Sequence, residues 1–284
     1  MVLFLTNRRE QESITDVSKK FEDMVINCPR IVPLLKDPFY LVPFTREIPT
    51  SIKPLGGPGS RAYVVNNKFV YKYDEQEYAN ELSFATNIFA KACGIKTVDM
   101  IISVLEYFIQ DGQVHEFTPT VTQIMQYIPE WQDYTPDHPK DHKFVKQLAE
   151  LLAFDLTVGN GDRFLFISRY IDDFLFKDDP EYDPYGEDLW DNPIINEGNF
   201  GIVNDDLWSL DERAYDDINY ITRLHALLTE PFLDECTRLM GYYFKLTPDQ
   251  MLLFRRKLVK YLDHDLALFP IFHRLHKWVI SGLD

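Results

Sequence analysis

The sequence predicts an α+β fold in two lobes, a β-rich first lobe with one main helix and a helical second lobe. Three observations predict it. The runs "AYVV" and "KFVYKY" flank Asn66-Asn67, and Asn tolerates the positive φ angles of a tight hairpin turn. One helical stretch and two longer strand-like runs follow. After "PEWQDYTPDHPKD" the chain reads as mostly helical.

Taken in order, residues 1–53 form a lead-in. Ile14, Val17, Phe21 and Val25 share a helical face, and Pro33, Pro38, Pro43 and Pro49 mark an extended connector. The first lobe spans 54–128. Its helix, "EQEYANELSFATNIFAKACGI", stops at Gly94, a residue suited to a C-cap. "MIISVLEYFI" and "PTVTQIMQYI" are strands separated by a turn at Asp111-Gly112. The second lobe spans 129–284 and contains an acidic insertion at 172–191. That insertion has nine acids with Lys177 as its only base, and reads as a solvated loop. Its Phe174, Phe176, Tyr182, Tyr185 and Trp190 also suit docking to a basic partner.

Composition excludes several classes of function. With 45% hydrophobic residues and 14% aromatics in 284 residues, the chain buries a substantial core. A net charge of −16 disfavours a phosphate backbone as partner, so nucleic-acid binding is not expected. The three cysteines, Cys28, Cys93 and Cys236, are far apart and form neither a metal spacing nor a disulfide framework. "MVLFLTNRRE" is too short an apolar run for a secretory signal, and no run approaches the length of a membrane span. A cytoplasmic protein without integral membrane association is the expectation; delivery into another cell is compatible with the same features.

Four stretches carry candidate chemistry. "GGPGSRAYV" matches a glycine-loop pattern from Gly57, with Gly59 and Ser60 inside it, and lets backbone N–H groups approach phosphate oxygens. A hairpin follows it, in place of the helix a dinucleotide fold would show. Lys72 lies in the strand "FVYKY", and Glu77 and Glu81 of the next helix can each reach back to it. Glu81 is preferred, because it starts the inward face of Leu82, Ala85 and Phe89. A lysine so held orients nucleotide phosphates.

The third stretch, "KFVKQLAELLAFDLTVGNGDR", is an amphipathic helix that breaks at Gly159. Asp155 and Asn160 reproduce a D-x-x-x-x-N spacing, but the helical pattern places Asp155 away from a loop-borne site. Asp162, beyond the break and followed by Arg163, is the better general base. In the fourth, "NEGNFGIVNDDLWSLDER", two short strands join at Asn204-Asp205-Asp206. Asn199 precedes one strand and Asp211 ends the other. Together they offer hard oxygen ligands suited to Mg²⁺ or Mn²⁺. His273 and His276 share a helix face with no completing ligand, and read as packing residues.

"GNGDR" followed by "NEGNFGIV…LWSLD" resembles the core of atypical kinases with G-N-x-D-R and N-x-x-N-hydrophobic motifs. The likeness is greatest to the actin-fragmin kinase catalytic domain, with phosphoinositide and HipA-like kinases more remote. The resemblance implies a two-lobed protein kinase-like fold that binds ATP and Mg²⁺. It implies Asp162 as catalytic base, Asn199 and Asp211 as metal ligands, and Lys72 with Glu81 as the nucleotide-positioning pair. It also implies "QIMQYI" as the hinge, with Gln126 and Tyr127 beside the adenine. The implied reaction is γ-phosphate transfer to Ser or Thr of a protein, with actin or an actin-bound complex as the partner. About 37 residues separate Asp162 from Asn199, against five in common protein kinases, and neither D-F-G nor A-P-E is present. These departures leave phosphate chemistry intact and open the acceptor to alternatives, a lipid or small molecule. A related alternative is transfer of AMP onto protein, and a nucleotide-binding scaffold without turnover is the non-enzyme reading.

Overall fold

A computed structural model of the chain describes residues 52–55, 62–65, 67–73, 77–110, 113–165, 171–172, 199–210 and 212–281. The lead-in over 1–51, Gly57, Gly59, Ser60, the turn at 111–112, nearly all of the acidic insertion and Asp211 lie outside the described residues. The architecture is the α+β arrangement the sequence predicts, antiparallel sheets with one main helix and then a mostly helical part. Contacts divide it into two compact units. One runs to Ala92 and includes Val98–Pro129 and the chain from Arg274, and the other includes Cys93–Thr97 and Glu130–His273.

The first unit is built on a five-stranded antiparallel sheet ordered β1-β2-β3-β5-β4. Its strands are β1 (Ile52–Pro54), β2 (Ala62–Val65), β3 (Phe69–Tyr73), β4 (Met100–Gln110) and β5 (Gln113–Gln126). Asn67 takes the left-handed φ of 52° that the β2–β3 turn needs. Helix α1 (Glu77–Cys93) intervenes between β3 and β4 and ends at Gly94, whose φ is 96°. From Leu82 to Ala90 it is buried all round, as a helix enclosed by core must be. Two of its polar interior positions are matched across the core: Asn87 donates to the Val98 carbonyl at 3.0 Å, and Asn80 accepts from Gln123 of β5 at 3.0 Å.

The second unit has a three-stranded sheet and the remaining helices. Strands β6 (Gln132–Asp133), β7 (Phe200–Val203) and β8 (Asp206–Ser209) pair antiparallel in that order. Asn204 and Asp205, with φ of 51° and 60°, form the two-residue turn between β7 and β8, so Asp206 belongs to the strand and not to the turn. Helix α2 (His142–Val158) starts at Asp141, whose carboxylate accepts the Phe144 N–H at 2.8 Å. Helices α3 (Ile218–Leu227), α4 (Glu230–Tyr243) and α5 (Pro248–Ser281) complete the unit, and α5 runs on into the residues of the first.

An aromatic cluster joins β7 to the helices. Tyr134 stacks on Phe144 of α2 at 5.8 Å and meets Phe200 of β7 at 5.3 Å, while Phe164 meets Phe200 at 6.1 Å. The hairpin β7–β8 is also tied to α2 by charge. Asp206 accepts from Lys96 at 2.5 Å, pairs with Lys143 at 2.7 Å and accepts from Gln147 at 2.8 Å. Burial pushes its carboxyl up, but the bonds from Lys143, Lys96 and Gln147 outweigh this and hold it down at about 2.

Gly201 of β7 is set by close approach. A Cβ there would lie 2.5 Å from the Trp131 ring and 2.6 Å from the Gln132 carbonyl oxygen. Gly201→Ala is therefore expected to lower unfolding free energy by about 1–3 kcal/mol, the usual range for overpacking, as measured by urea denaturation.

Candidate functional site

Helix α2 ends because Gly159 adopts φ 69°, and the Asn160 N–H returns to the Asp155 carbonyl at 2.9 Å. A side chain at Gly159 would also press on Tyr215 and Ile221, at 3.1 and 3.2 Å from its Cβ. The Tyr215 N–H then takes the Val158 carbonyl at 3.1 Å, one of the acceptors a helix end leaves open. Thus the apolar helix is stopped cleanly, and residues 160–163 cross its end as a loop.

Two sets of bonds hold that loop. Asn160 faces inward: its Oδ1 accepts the Asp162 N–H at 3.1 Å, and its Nδ2 donates to Asp155 Oδ1 at 3.2 Å. Arg163 plunges beneath. Its guanidinium has no exposed surface and bonds to the Asp155 carboxylate, to Glu212 at 3.1 Å, to Ser209 Oγ at 2.5 Å and to the Leu210 carbonyl at 3.2 Å. Its Nε reaches the Asn199 carbonyl at 3.3 Å. One side chain therefore ties α2, the loop, the start of β7 and the segment after β8.

Between those segments, Asp162 and Asn199 meet. Asn199 Nδ2 donates to Asp162 Oδ2 at 2.9 Å, and Asn199 is buried. This bond uses the amide nitrogen, so the amide oxygen is the group Asn199 can offer a cation. The Leu210 N–H is held by the Asn199 carbonyl at 2.8 Å, and Glu212 by Arg163, so both chain neighbours of Asp211 are fixed to the same frame. A carboxylate, an amide oxygen and a second carboxylate suit a hard divalent cation, and the described part of the site fits one. Among the described residues, no three His, Cys, Asp or Glu side chains gather as a metal site, and Asp211 stands outside them.

The other predicted residues fall in the first unit. Lys72 of β3 pairs in register with Gln123 of β5, and directly opposed residues project from the same sheet face. Because Gln123 reaches Asn80 on α1, Lys72 projects on the face that α1 covers. Glu81, half-buried, is the next residue along that helix. At the end of β5, Gln126 is exposed and Tyr127 half-buried. The Gln126 N–H is taken by the Asp99 carbonyl at 2.9 Å and the Tyr127 N–H by that of Lys68 at 2.8 Å.

One expectation changes. The helical pattern placed Asp155 away from the loop, whereas its carboxylate is buried directly under it, against Asn160 and Arg163. The pattern misleads because the helix end is itself covered by the loop, so an inward-facing acid meets loop side chains. Arg163, Ser209 and Glu212 form the frame of the site and were not singled out from sequence. Asp155 is a lone acid inside the apolar run LLAFDLTV, whereas Arg163 follows Asp162 and Glu212 stands between Asp211 and Arg213, so their sequence surroundings did not set them apart.

Two carboxylates share one guanidinium here, leaving a surplus negative charge in a dry place. Burial raises the Asp155 carboxyl to about 7; Arg163 opposes this and Glu212 adds to it. Burial lowers and the two carboxylates raise the Arg163 guanidinium, which ends above its ordinary value. Elsewhere in the unit, burial and then Asp265 raise Glu150 of α2 to about 7. Burial raises Asp265 of α5 to about 6 against bonds from His264 and Cys93.

No protein-family model and no curated protein matches the chain. Among solved structures, it is similar to the GDP and kanamycin complex of APH(2'')-IIia, with 15% identity over 84% of this chain and 92% of that one, and a TM-score of 0.35. It is also similar to a choline/ethanolamine kinase family protein from Mesorhizobium loti, with 16% identity over 94% of this chain and 100% of that one, and a TM-score of 0.31. Neither is an actin-fragmin kinase, and at these scores the chemistry rests on the residues themselves.

The raised acids fix a sign. Each of Asp155, Glu150 and Asp265 binds its proton more tightly folded than unfolded. The stability they confer is complete below about pH 4 and is lost as pH rises through about 6 to 7. The thermal midpoint is expected to fall between pH 5 and pH 8 at constant ionic strength, read by calorimetry. Arg163→Met leaves two buried carboxylates unpaired and is expected to cost about 3–5 kcal/mol in denaturant unfolding at neutral pH, with the loss shrinking in acid.

Proposed function

We propose that this chain is a phosphotransferase that moves the γ-phosphate of ATP onto a hydroxyl group, with Asp162 as the base. The observation that carries the reading is the Asp162–Asn199 bond locked in place by buried Arg163. Catalysis of this kind depends on positioning and charge stabilisation, so a base and a ligand held by a rigid frame are what it requires.

The Asp162 carboxylate accepts the proton of the acceptor hydroxyl as its oxygen forms a bond to the γ-phosphorus. The bond from that phosphorus to the bridging oxygen breaks, and ADP leaves with the electron pair. Asn199 and Asp211 would hold a divalent cation, which when bound offsets charge on the phosphates. Asn199 also orients Asp162 by its amide N–H, keeping one carboxylate oxygen occupied and the other for the proton. Lys72, with Glu81 behind it, would meet the nucleotide phosphates, and the loop carrying Gly57, Gly59 and Ser60 would lie over them. With the Gln126 and Tyr127 N–H groups already bonded, a purine edge there would be met by a carbonyl or by the residue after Tyr127.

Two acceptors fit this chemistry. Transfer to Ser or Thr of a protein, actin included, follows from the resemblance of the motifs alone. A small-molecule acceptor is favoured by a specific feature: Asp162 lines a cavity of about 350 Å³ within its own unit, a size that suits small ligands.

Labelled ATP with Mg²⁺, offered with actin, basic proteins, phosphoinositides and small polyols, tests the reading. Asp162→Ala is expected to lower transfer by about 10²–10⁴-fold, the range of a general base, while folding and nucleotide binding persist. Bound nucleotide with no transfer by the wild type to any acceptor would point to a scaffold instead.

A further inference from the structure

The chain carries a net charge of −16, yet one face of the second unit is basic. Helix α5 shows solvent a stripe of Leu252, Arg256 and Lys260, each four residues from the last and so on one side, with Lys257 half-exposed beside it. Helix α2 lies alongside. The Gln250 side chain donates to the Lys140 carbonyl near the start of both helices, and Glu150 acts on Tyr261 further along, so the two run in the same direction. Exposed Lys146 therefore falls beside Arg256 and Lys257. The Lys257 ammonium is accordingly held below its ordinary value, by desolvation and then by Lys260, Lys146 and Arg256.

Among the described residues, none of these four bases has an ion pair. The acids around them are committed elsewhere or stand at the margins. Glu230 and Asp234 of α4 are held by Arg255, and Asp206 by Lys96 and Lys143. Glu150, one turn beyond Lys146, is half-buried, and exposed Asp249 and Asp263 bound the stripe at its two ends. Apolar surface adjoins it. A Cβ on Gly241 would lie 2.7 Å from the Met251 sulfur, so α4 and α5 touch there. The next residue of each helix, Tyr242 and Leu252, is 71% and 72% exposed.

We propose that this face binds an acidic peptide segment of a partner protein, with carboxylates on Lys146, Arg256, Lys257 and Lys260 and an apolar side chain against Leu252. The proposal does not rest on phosphotransfer. Charge complementarity carries it: unpaired bases on two neighbouring helices match successive carboxylates along one segment, and Arg256 can grip one of them with two N–H groups. The same bases would attract an anionic membrane, but the peptide is the better fit. Salt screens charge beyond about 8 Å, so a peptide senses the patch alone. A bilayer surface would also meet the surplus acids of a chain with net charge −16.

The test is fluorescence anisotropy of the full chain with a labelled probe, the peptide Glu-Glu-Asp-Glu-Glu-Leu-Phe. Binding is expected, and raising salt from about 50 to about 200 mM should weaken it about tenfold. Lys146→Glu on α2 should weaken it about tenfold, and Arg256→Glu with Lys260→Glu on α5 by more. Lys53→Glu, at an exposed position of β1 in the other unit, makes the same change in net charge as Lys146→Glu and should stay within about twofold of wild type. Replacing the Leu-Phe of the probe by Gly-Gly should cost about threefold. Circular dichroism melting confirms that each variant is folded, as exposed positions allow. No binding at low salt, a loss in Lys53→Glu equal to that in Lys146→Glu, or affinity unchanged by Lys146→Glu would each overturn the proposal. So would tighter binding to phosphatidylserine vesicles, or to a single-stranded oligonucleotide, than to the peptide.

Discussion

The buried guanidinium of Arg163 is the constraint on which the rest of the site depends. It reaches Asp155 from α2, the Asn199 carbonyl before β7, Ser209 and Leu210 at the end of β8, and Glu212 beyond it. A charge of this kind is costly to bury and is tolerated only when paired and bonded throughout. Here its donors meet acceptors on separate segments, so the segments cannot drift apart without stranding a charge. Specificity of arrangement, more than net stability, is what such a triad contributes, since apolar side chains replacing all three charged groups together could fill the same space, whereas removing the guanidinium alone strands two acids.

That frame explains why the neighbouring elements look as they do. The helix must stop where Asp155 still faces inward and Asp162 has already turned out, which Gly159 in the left-handed region accomplishes. The β7–β8 hairpin and its flanks must present Asn199, Ser209, Leu210 and Glu212 to the same guanidinium. Asp206, gripped by Lys96, Lys143 and Gln147, fixes the hairpin's far end on α2, and the Ser209 N–H takes the Lys96 carbonyl at 2.7 Å. The surplus carboxylate of the triad is the cost of this arrangement, and it shows as an acid raised to about 7. Among the described residues, one oxygen each of Asp155 and Glu212 meets no hydrogen-bond partner, the trace of two acids sharing one base.

Much of this was legible in the sequence. Local signals were sufficient where turn chemistry and periodicity agree: Asn67 and the Asn204-Asp205 pair mark real hairpins, Gly94 and Gly159 end real helices, and Asp162 and Asn199 do meet. What was not legible is the frame below them. Asp155, Arg163 and Glu212 lie 8 and 49 residues apart from one partner to the next, and no local pattern shows that these three charges converge. Helical periodicity assigned Asp155 to the wrong environment, because it describes a helix's own faces and not what covers its end. The cavity wall was equally hidden, since Asp172 and Tyr220 are 48 residues apart and their bond exists only once α3 is packed.

The most direct measurement is a crystal structure of the chain with Mg²⁺ and a non-hydrolysable ATP analogue. The account predicts a metal about 2.0–2.1 Å from the Asn199 amide oxygen, with Arg163 still bonded to Asp155 and Glu212 beneath it. A nucleotide bound away from Asp162 and Asn199, or Arg163 turned out to contact the phosphates, would contradict it.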